Sequence, residues 1–184
     1  MWINMMQNKK SKIVDYYLYE GVDNKGRTLK SLWEKSNFSL EIAHDYIQWM
    51  FPLNEGSNYN ANAPILTEDD IYIFRKSMEA KQNMLCSLER MLEFYGLYMI
   101  IDEDGYPIIE MNLNGGKNDF QQRCRNWISR NNHNYLRITR ILKSLCLFGL
   151  ETYAKALLKC LEEIYHSKRA ISEKTFDYWK DAVL

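Results

Sequence analysis

The chain has 184 residues, which is long enough for one domain with a sizeable hydrophobic core. Its 24 basic and 24 acidic residues balance, so no overall positive field attracts nucleic acid or an anionic membrane surface, and we expect neither as a partner. Hydrophobic residues make up 46% and charged residues 26%, a composition typical of a soluble globular protein.

The first half of the chain predicts four helices. Residues 13–19 and 28–35 show short helical patterns, with a turn at 23–26 between them. A third helix is predicted from 39 to 52, where Pro52 has no N–H to extend the helical ladder. A fourth begins at Thr67 as N-cap and keeps the helical period to Gly96. It would be about 40 Å long if continuous, and the alternative is a break near residues 80–83, where the apolar stripe lapses.

A polar loop is predicted between the third and fourth helices. Residues 53–64 are rich in asparagine and end in a proline, which is typical of irregular structure. A loop of that length in a compact domain is often functional. The alternative is a crossover loop that Tyr59 and Ile65 pack against the domain. The sequence leaves both interpretations open.

The second half of the chain predicts one β-hairpin followed by helices. Residues 98–101 and 108–111 flank Asp104-Gly105, which is a hairpin turn signal. Helical periods then cover residues 120–128, 134–148 and 151–167, and Ser172 is expected to cap a last short helix. The sequence therefore predicts an all-α, single-domain helical bundle over residues 1–184, with about seven helices and one small β-hairpin.

Cysteine and histidine spacing gives no sign of a metal site or a cofactor. No C-x-x-C or H-x-x-x-H pair occurs, so we expect reduced thiols at the four widely spaced cysteines, Cys86, Cys124, Cys146 and Cys160. No continuous apolar segment typical of a secretory signal or a membrane-spanning helix is present. We therefore expect a cytoplasmic protein, with nuclear association if it is eukaryotic. About 10–12 terminal residues are expected to be disordered.

A cluster of basic residues marks the start of the helix predicted at 134–148. Arg137 and Arg140 lie three residues apart in its first two turns, next to His133 and to Asn134 as the predicted N-cap. The free N–H groups of the helix and the two guanidinium groups together suit a carboxylate or a phosphate. The alternative is an ion-pair network in which the arginines pair with acidic residues of the helix at 39–52, namely Glu41 and Asp45.

Further candidate ligand-binding residues come from the helix predicted at 39–52. They are His44, Asp45, Gln48 and Trp49, and the aromatic side chains there predict either a groove or core packing. We favour a non-catalytic domain that binds a short peptide, a small anionic ligand or a protein partner. The alternative is an enzyme acting on a phosphorylated or nucleotide-like substrate, with His44 or His133 as acid or base. No hydrolase, kinase or dinucleotide-binding fingerprint occurs in the sequence.

Four segments of the chain resemble one known family. They are HDYIQWMFPLNEGSNYNANAPILTEDDI at 44–71, NHNYLRITRILKSLCLFGL at 132–150, DNKGRTL at 23–29 and FDYWKDAV near the end. Together they resemble the opioid growth factor receptor conserved-domain family over nearly the whole chain. The resemblance implies one such domain over residues 1–184, without the long repeat tail of eukaryotic relatives. The family name implies binding of an opioid pentapeptide.

Overall fold

A computed structural model describes residues 11–184, and these residues are mostly α-helical. The helices of the described part are α1 (Lys12–Leu18), α2 (Leu29–Trp33), α3 (Asn37–Ile42), α4 (Ile47–Met50), α5 (Glu68–Lys76), α6 (Met78–Tyr95), α7 (Phe120–Trp127), α8 (Asn134–Leu147), α9 (Glu151–Ser167) and α10 (Glu173–Asp181). Two strands, β1 (Leu97–Ile101) and β2 (Pro107–Met111), form one antiparallel sheet. The predicted helical fold with one small hairpin is therefore confirmed. The expected terminal disorder concerns residues 1–10, which lie outside the described residues.

The single helix predicted at 39–52 is wrong, because the chain breaks it into α3 and α4. Ala43 is extended, with φ −88° and ψ 132°, and α4 is only one turn long. The carbonyl of Ala43 accepts a hydrogen bond of 2.8 Å from Arg137, and Asp45 forms ion pairs with Lys25 and Arg27. Hydrogen bonds to charged groups are stronger than the neutral ones of a helix, so distant partners override the local helical period.

The long helix predicted at 67–96 is also divided, but at Ser77 and not at residues 80–83. Ser77 ends α5 and caps α6, because its hydroxyl accepts a hydrogen bond of 3.1 Å from the N–H of Ala80. The start and the end of the predicted segment are both confirmed. Thr67 and Asp70 form a reciprocal capping box, and Gly96 ends α6 in the left-handed conformation. These two divisions contribute to the larger number of helices among the described residues, ten against about seven predicted.

Aromatic side chains fill much of the interior. Phe74 and Phe148 stack with ring centroids 4.4 Å apart, and Tyr17 packs against both. Trp127 and Trp179 are fully buried. Large aromatic rings bury more apolar area than any other side chains, so these clusters contribute a large share of the hydrophobic stabilisation. The interpretation of the aromatic residues as core residues is confirmed for these five.

Helix α8 is the central helix that positions the candidate site. One side of it packs against α9 and α10. Its other side meets the segment that follows α4, where Ser144 donates a hydrogen bond of 2.9 Å to the carbonyl of Pro52. Helix α8 is therefore contacted on two sides, and the exposed stripe of α8 that remains borders a cavity.

Candidate functional site

A cavity of about 420 Å³ lies between α8, the segment 44–48 and the loop that follows α4. Five of the eight predicted site residues line it, namely His44, Gln48, His133, Arg137 and Arg140. The loop contributes residues 55–59 and Leu53, and α8 adds Leu136, Thr139 and Lys143. The two family-like segments that contain the predicted residues therefore meet at one concave site.

The other three predicted site residues lie outside the wall of this cavity. Trp49 is buried, with its ring edge-on to Tyr16 at a centroid distance of 5.1 Å. Asp45 faces Lys25 and Arg27. Asn134 is fully buried as the first residue of α8, and the N-cap is His133, not Asn134 as predicted. The side-chain amide oxygen of Asn134 accepts a hydrogen bond of 3.1 Å from Arg137. Asn134 therefore contacts a residue that lines the cavity, while Trp49 and Asp45 contact residues outside its lining.

Arg137 is held by protein groups on every side. It donates to the carbonyls of Ala43 and Glu41 at 2.8 and 3.4 Å and to Asn134 Oδ1 at 3.1 Å. Its guanidinium also lies 3.8 Å from the Glu41 carboxylate and 5.5 Å from the ring centre of Tyr46. Only 5% of its side chain is exposed. The ion-pair alternative is therefore correct for Arg137 and Glu41, but it is wrong for Asp45, which pairs elsewhere.

Arg140 and Lys143 face the cavity, and each has side-chain N–H donors that remain for a ligand. In the described part of the chain Arg140 donates one hydrogen bond, of 3.1 Å, to the carbonyl of Phe51. Burial lowers the pKa of its guanidinium, which still keeps its charge at neutral pH. Lys143 pairs with Glu55 at 2.8 Å, and both of these side chains are substantially exposed. Since Glu55 is the acidic residue in the lining, the cavity carries a net positive charge.

His44 and His133 form an edge-to-face pair with ring centroids 5.3 Å apart. Arg137 lies 3.3 Å from His44 Nδ1, and because a guanidinium can only donate, this nitrogen is the acceptor in the contact. His133 Nε2 lies 3.3 Å from a carboxylate oxygen of Glu41. Burial and then the charge of Arg137 lower the pKa of His133, although Glu41 opposes them. The lowered pKa favours the neutral form of the His133 imidazole.

The loop at 53–64 is closed at its base and open at its tip. The N–H of Leu66 donates a hydrogen bond of 2.8 Å to the carbonyl of Leu53, and Asn24 donates to the carbonyl of Asn62 at 3.0 Å. Tyr59 and Ile65, the predicted anchors, are 78% and 56% exposed. The interpretation of a loop packed down by these two residues is therefore wrong. The loop forms a wall of the cavity, with the ring of Tyr59 at its mouth.

Sequence reasoning missed Lys143, Glu55 and Leu136, which line the cavity beside the predicted residues. A signal for Lys143 was present, because Arg137, Arg140 and Lys143 follow one another at three-residue spacing on α8. No comparable signal existed for Glu55, since its position depends on the path of the loop.

The ion pairs of Asp45 predict an acid-dependent loss of stability. Burial raises the pKa of Asp45, but hydrogen bonds from Lys25 and Arg27 outweigh burial and hold the pKa below its ordinary value. A lowered carboxylate pKa stabilises the fold above about pH 4, and the stabilisation is lost as the pH falls through the folded-state pKa. We expect wild type to be more stable than Asp45→Asn near neutral pH, and the difference in unfolding free energy, from urea titrations, to shrink below about pH 4. A constant difference across this range would contradict the prediction.

The described residues contain neither a metal-binding cluster nor a membrane-spanning helix. Among residues 11–184, no group of three histidine, cysteine, aspartate or glutamate side chains is arranged to hold a metal ion. Over the same residues, none of the helices combines the length and the apolar character that crossing a membrane requires.

Comparison with known proteins shows relatives over most of the chain. The opioid growth factor receptor of Mus musculus is 37% identical over 155 residues, covering 82% of this chain and 23% of the relative. The Homo sapiens receptor is 35% identical over 155 residues, covering 82% and 21%. The opioid growth factor receptor-like protein 1 of Rattus norvegicus is 40% identical over 128 residues, covering 69% and 25%. The chain thus spans about a quarter of the length of these relatives.

No solved structure matches the chain. The family match is nonetheless extensive, because residues 23–184 fit the opioid growth factor receptor (OGFr) conserved region. This range contains the whole cavity as well as the helices that form it. The chain therefore belongs to the opioid growth factor receptor family.

Proposed function

We propose that this domain is a non-catalytic binding module that holds the anionic group of a short peptide or small ligand in the cavity. The observation that carries the proposal is the convergence of Arg140 and Lys143 on one concave surface. The volume of about 420 Å³ lies in the range of small-molecule and cofactor sites. A ligand anion placed there would meet the positive charges of Arg140 and Lys143. Among the lining residues, Glu55 supplies the one negative charge that offsets them.

The apolar part of the lining suits the side chains of a peptide. Ile47 and Leu53 are buried in the wall, whereas Leu136 and Tyr59 are 52% and 78% exposed at the mouth. Covering these exposed side chains would remove apolar area from water and add to the affinity. An amphipathic ligand therefore fits the cavity better than a bare inorganic anion does.

The names of the relatives support binding rather than catalysis. The mouse and human proteins are named receptors, and a receptor is defined by the ligand it binds. We extend ligand binding to this domain because the cavity lies within the matched region, and we propose an opioid pentapeptide as one candidate ligand. A cytoplasmic location is a further proposal, supported by four cysteines that are all free thiols. The enzyme alternative with His44 or His133 stays a sequence-based prediction.

The test begins by passing a randomised pentapeptide library with free termini over the immobilised domain and identifying the peptides that are retained. These peptides, and an opioid pentapeptide, are then titrated into the domain in a calorimeter. Arg140→Gln is expected to weaken binding by about 10- to 100-fold, because it removes hydrogen bonds from a charged donor. The matched control is Arg169→Gln, which removes the same charge from an exposed position outside the cavity. Thermal unfolding by circular dichroism should show both variants folded. The proposal fails if no probe binds wild type, or if the two variants bind equally well.

A further inference from the structure

Gln48 presents a buried acceptor in the wall of the cavity that no group among residues 11–184 satisfies. Its side chain is only 3% exposed, and its Nε2 makes one long contact of 3.4 Å with the carbonyl of His44. Its Oε1 has no hydrogen-bond partner in the described part of the chain. Buried polar groups are nearly always paired, so an unpaired one in a cavity wall points to a partner that arrives from outside.

The contact with His44 fixes which end of the Gln48 amide is unpaired. A main-chain carbonyl can only accept, so the NH₂ group of Gln48 faces it and the carbonyl oxygen faces away. The terminal torsion of a glutamine side chain is soft, and rotation about it costs only the long contact with His44. Oε1 itself is buried in the structure, and a rotation about this torsion would present it at the cavity surface to a donor of the ligand.

The charges of the cavity favour a monovalent anion. Arg140 and Lys143 contribute two positive charges, and Glu55 offsets one of them. Glu55 also shows that a carboxylate fits beside Lys143, since their charged atoms lie 2.8 Å apart. A ligand carboxylate could replace it or share the ammonium with it. The dianion of a phosphate monoester would exceed the free positive charge and would offer only acceptors to Gln48 Oε1.

We propose that the cavity recognises the free C-terminus of a peptide. The terminal carboxylate accepts hydrogen bonds from Arg140 and Lys143, and the last peptide N–H donates to Gln48 Oε1. One peptide terminus thus supplies both the acceptor that the cations require and the donor that Gln48 lacks. The last side chain of the peptide lies against Leu53. This inference rests on the proposed function and deepens it, because it selects a carboxyl terminus among the possible anions.

The first experiment compares two forms of the same randomised pentapeptide library, one with a free C-terminal carboxylate and one with a C-terminal amide. We expect the free acids to be retained by the immobilised domain, and amidation of a retained peptide to weaken its binding by about 10- to 100-fold in calorimetry. Equal retention of acids and amides would overturn the inference but leave the proposed function standing. Retention of neither library, with binding of inorganic phosphate, would also overturn it. Binding of no probe would overturn both.

The second experiment uses Gln48→Met, which keeps the length of the side chain and removes its polar atoms. The affinity for a free-acid peptide should fall by about 3- to 10-fold, since one neutral hydrogen bond is lost. The thermal midpoint should stay the same or rise, because a buried unpaired acceptor has been removed. A variant that loses stability and keeps wild-type affinity would show that Gln48 serves the fold and would overturn its role in recognition.

Discussion

Replacing Arg137 with alanine is expected to lower the free energy of unfolding by about 3–5 kcal/mol, since three hydrogen bonds from a buried, charged donor are lost. The guanidinium joins α8 to the break between α3 and α4, where it satisfies the carbonyls of Glu41 and Ala43. Without it these acceptors and the Glu41 carboxylate lose their charged partner. For a domain of this size the midpoint of thermal unfolding should fall by about 6–20 °C in circular dichroism.

Arg140→Ala is the matched control for this prediction. It removes the same side chain one turn further along α8, but Arg140 donates only one hydrogen bond to the main chain in the described residues. The expected loss is about 1.5–2 kcal/mol, since one hydrogen bond from a charged donor is lost. Equal losses for the two variants would contradict a structural role for Arg137. Arg137→Lys should lose most of the stability as well, because an ammonium cannot reach several carbonyls as a planar guanidinium does.

The parts of the fold that depend on local chemistry were predictable from the sequence. The capping box at Thr67, the end of α6 at Gly96 and the hairpin turn at Asp104-Gly105 all use residues that are neighbours in the chain. The break after α3 was not predictable in this way. Ala43 leaves the helical conformation because its carbonyl meets Arg137, which lies 94 residues further along the chain.

The lining of the candidate cavity was predictable in part, but for a different reason. Arg140, His44 and His133 were grouped as candidates because each lies in a segment with a strong family resemblance. The fold places all three in the lining of one cavity. Trp49 and Asp45 were grouped with them because residues 39–52 were predicted to form one continuous helix. The break at Ala43 changes the direction of the chain, so Asp45 meets Lys25 and Arg27 while Trp49 enters the core.

Replacing Gly96 with alanine is expected to destabilise the domain by about 3 kcal/mol, the sum of a conformational and a steric cost. Gly96 has φ +80°, which disfavours any residue with a Cβ. An added Cβ would also lie 2.7 Å from the Cα of Phe120 and 3.1 Å from its N. These are main-chain atoms at the start of α7, so no side-chain rotation relieves the overlap. The loss is measured by urea titration followed by circular dichroism.

Gly149→Ala separates the two costs, because Gly149 has a similar φ of +72° but only side-chain atoms near its added Cβ. The nearest atom to its added Cβ is Arg75 Cγ at 3.4 Å, which belongs to a flexible side chain. This variant should therefore lose only the conformational part, about 1–2 kcal/mol.

The difference between the two variants then measures how firmly α7 is held against the end of α6. Since the carbonyl of Gly96 also accepts a hydrogen bond of 2.9 Å from Asn112, the main chain there has little freedom to move away. Equal losses at Gly96 and Gly149 would mean that α7 shifts freely and that the close approach at Phe120 does not constrain the fold.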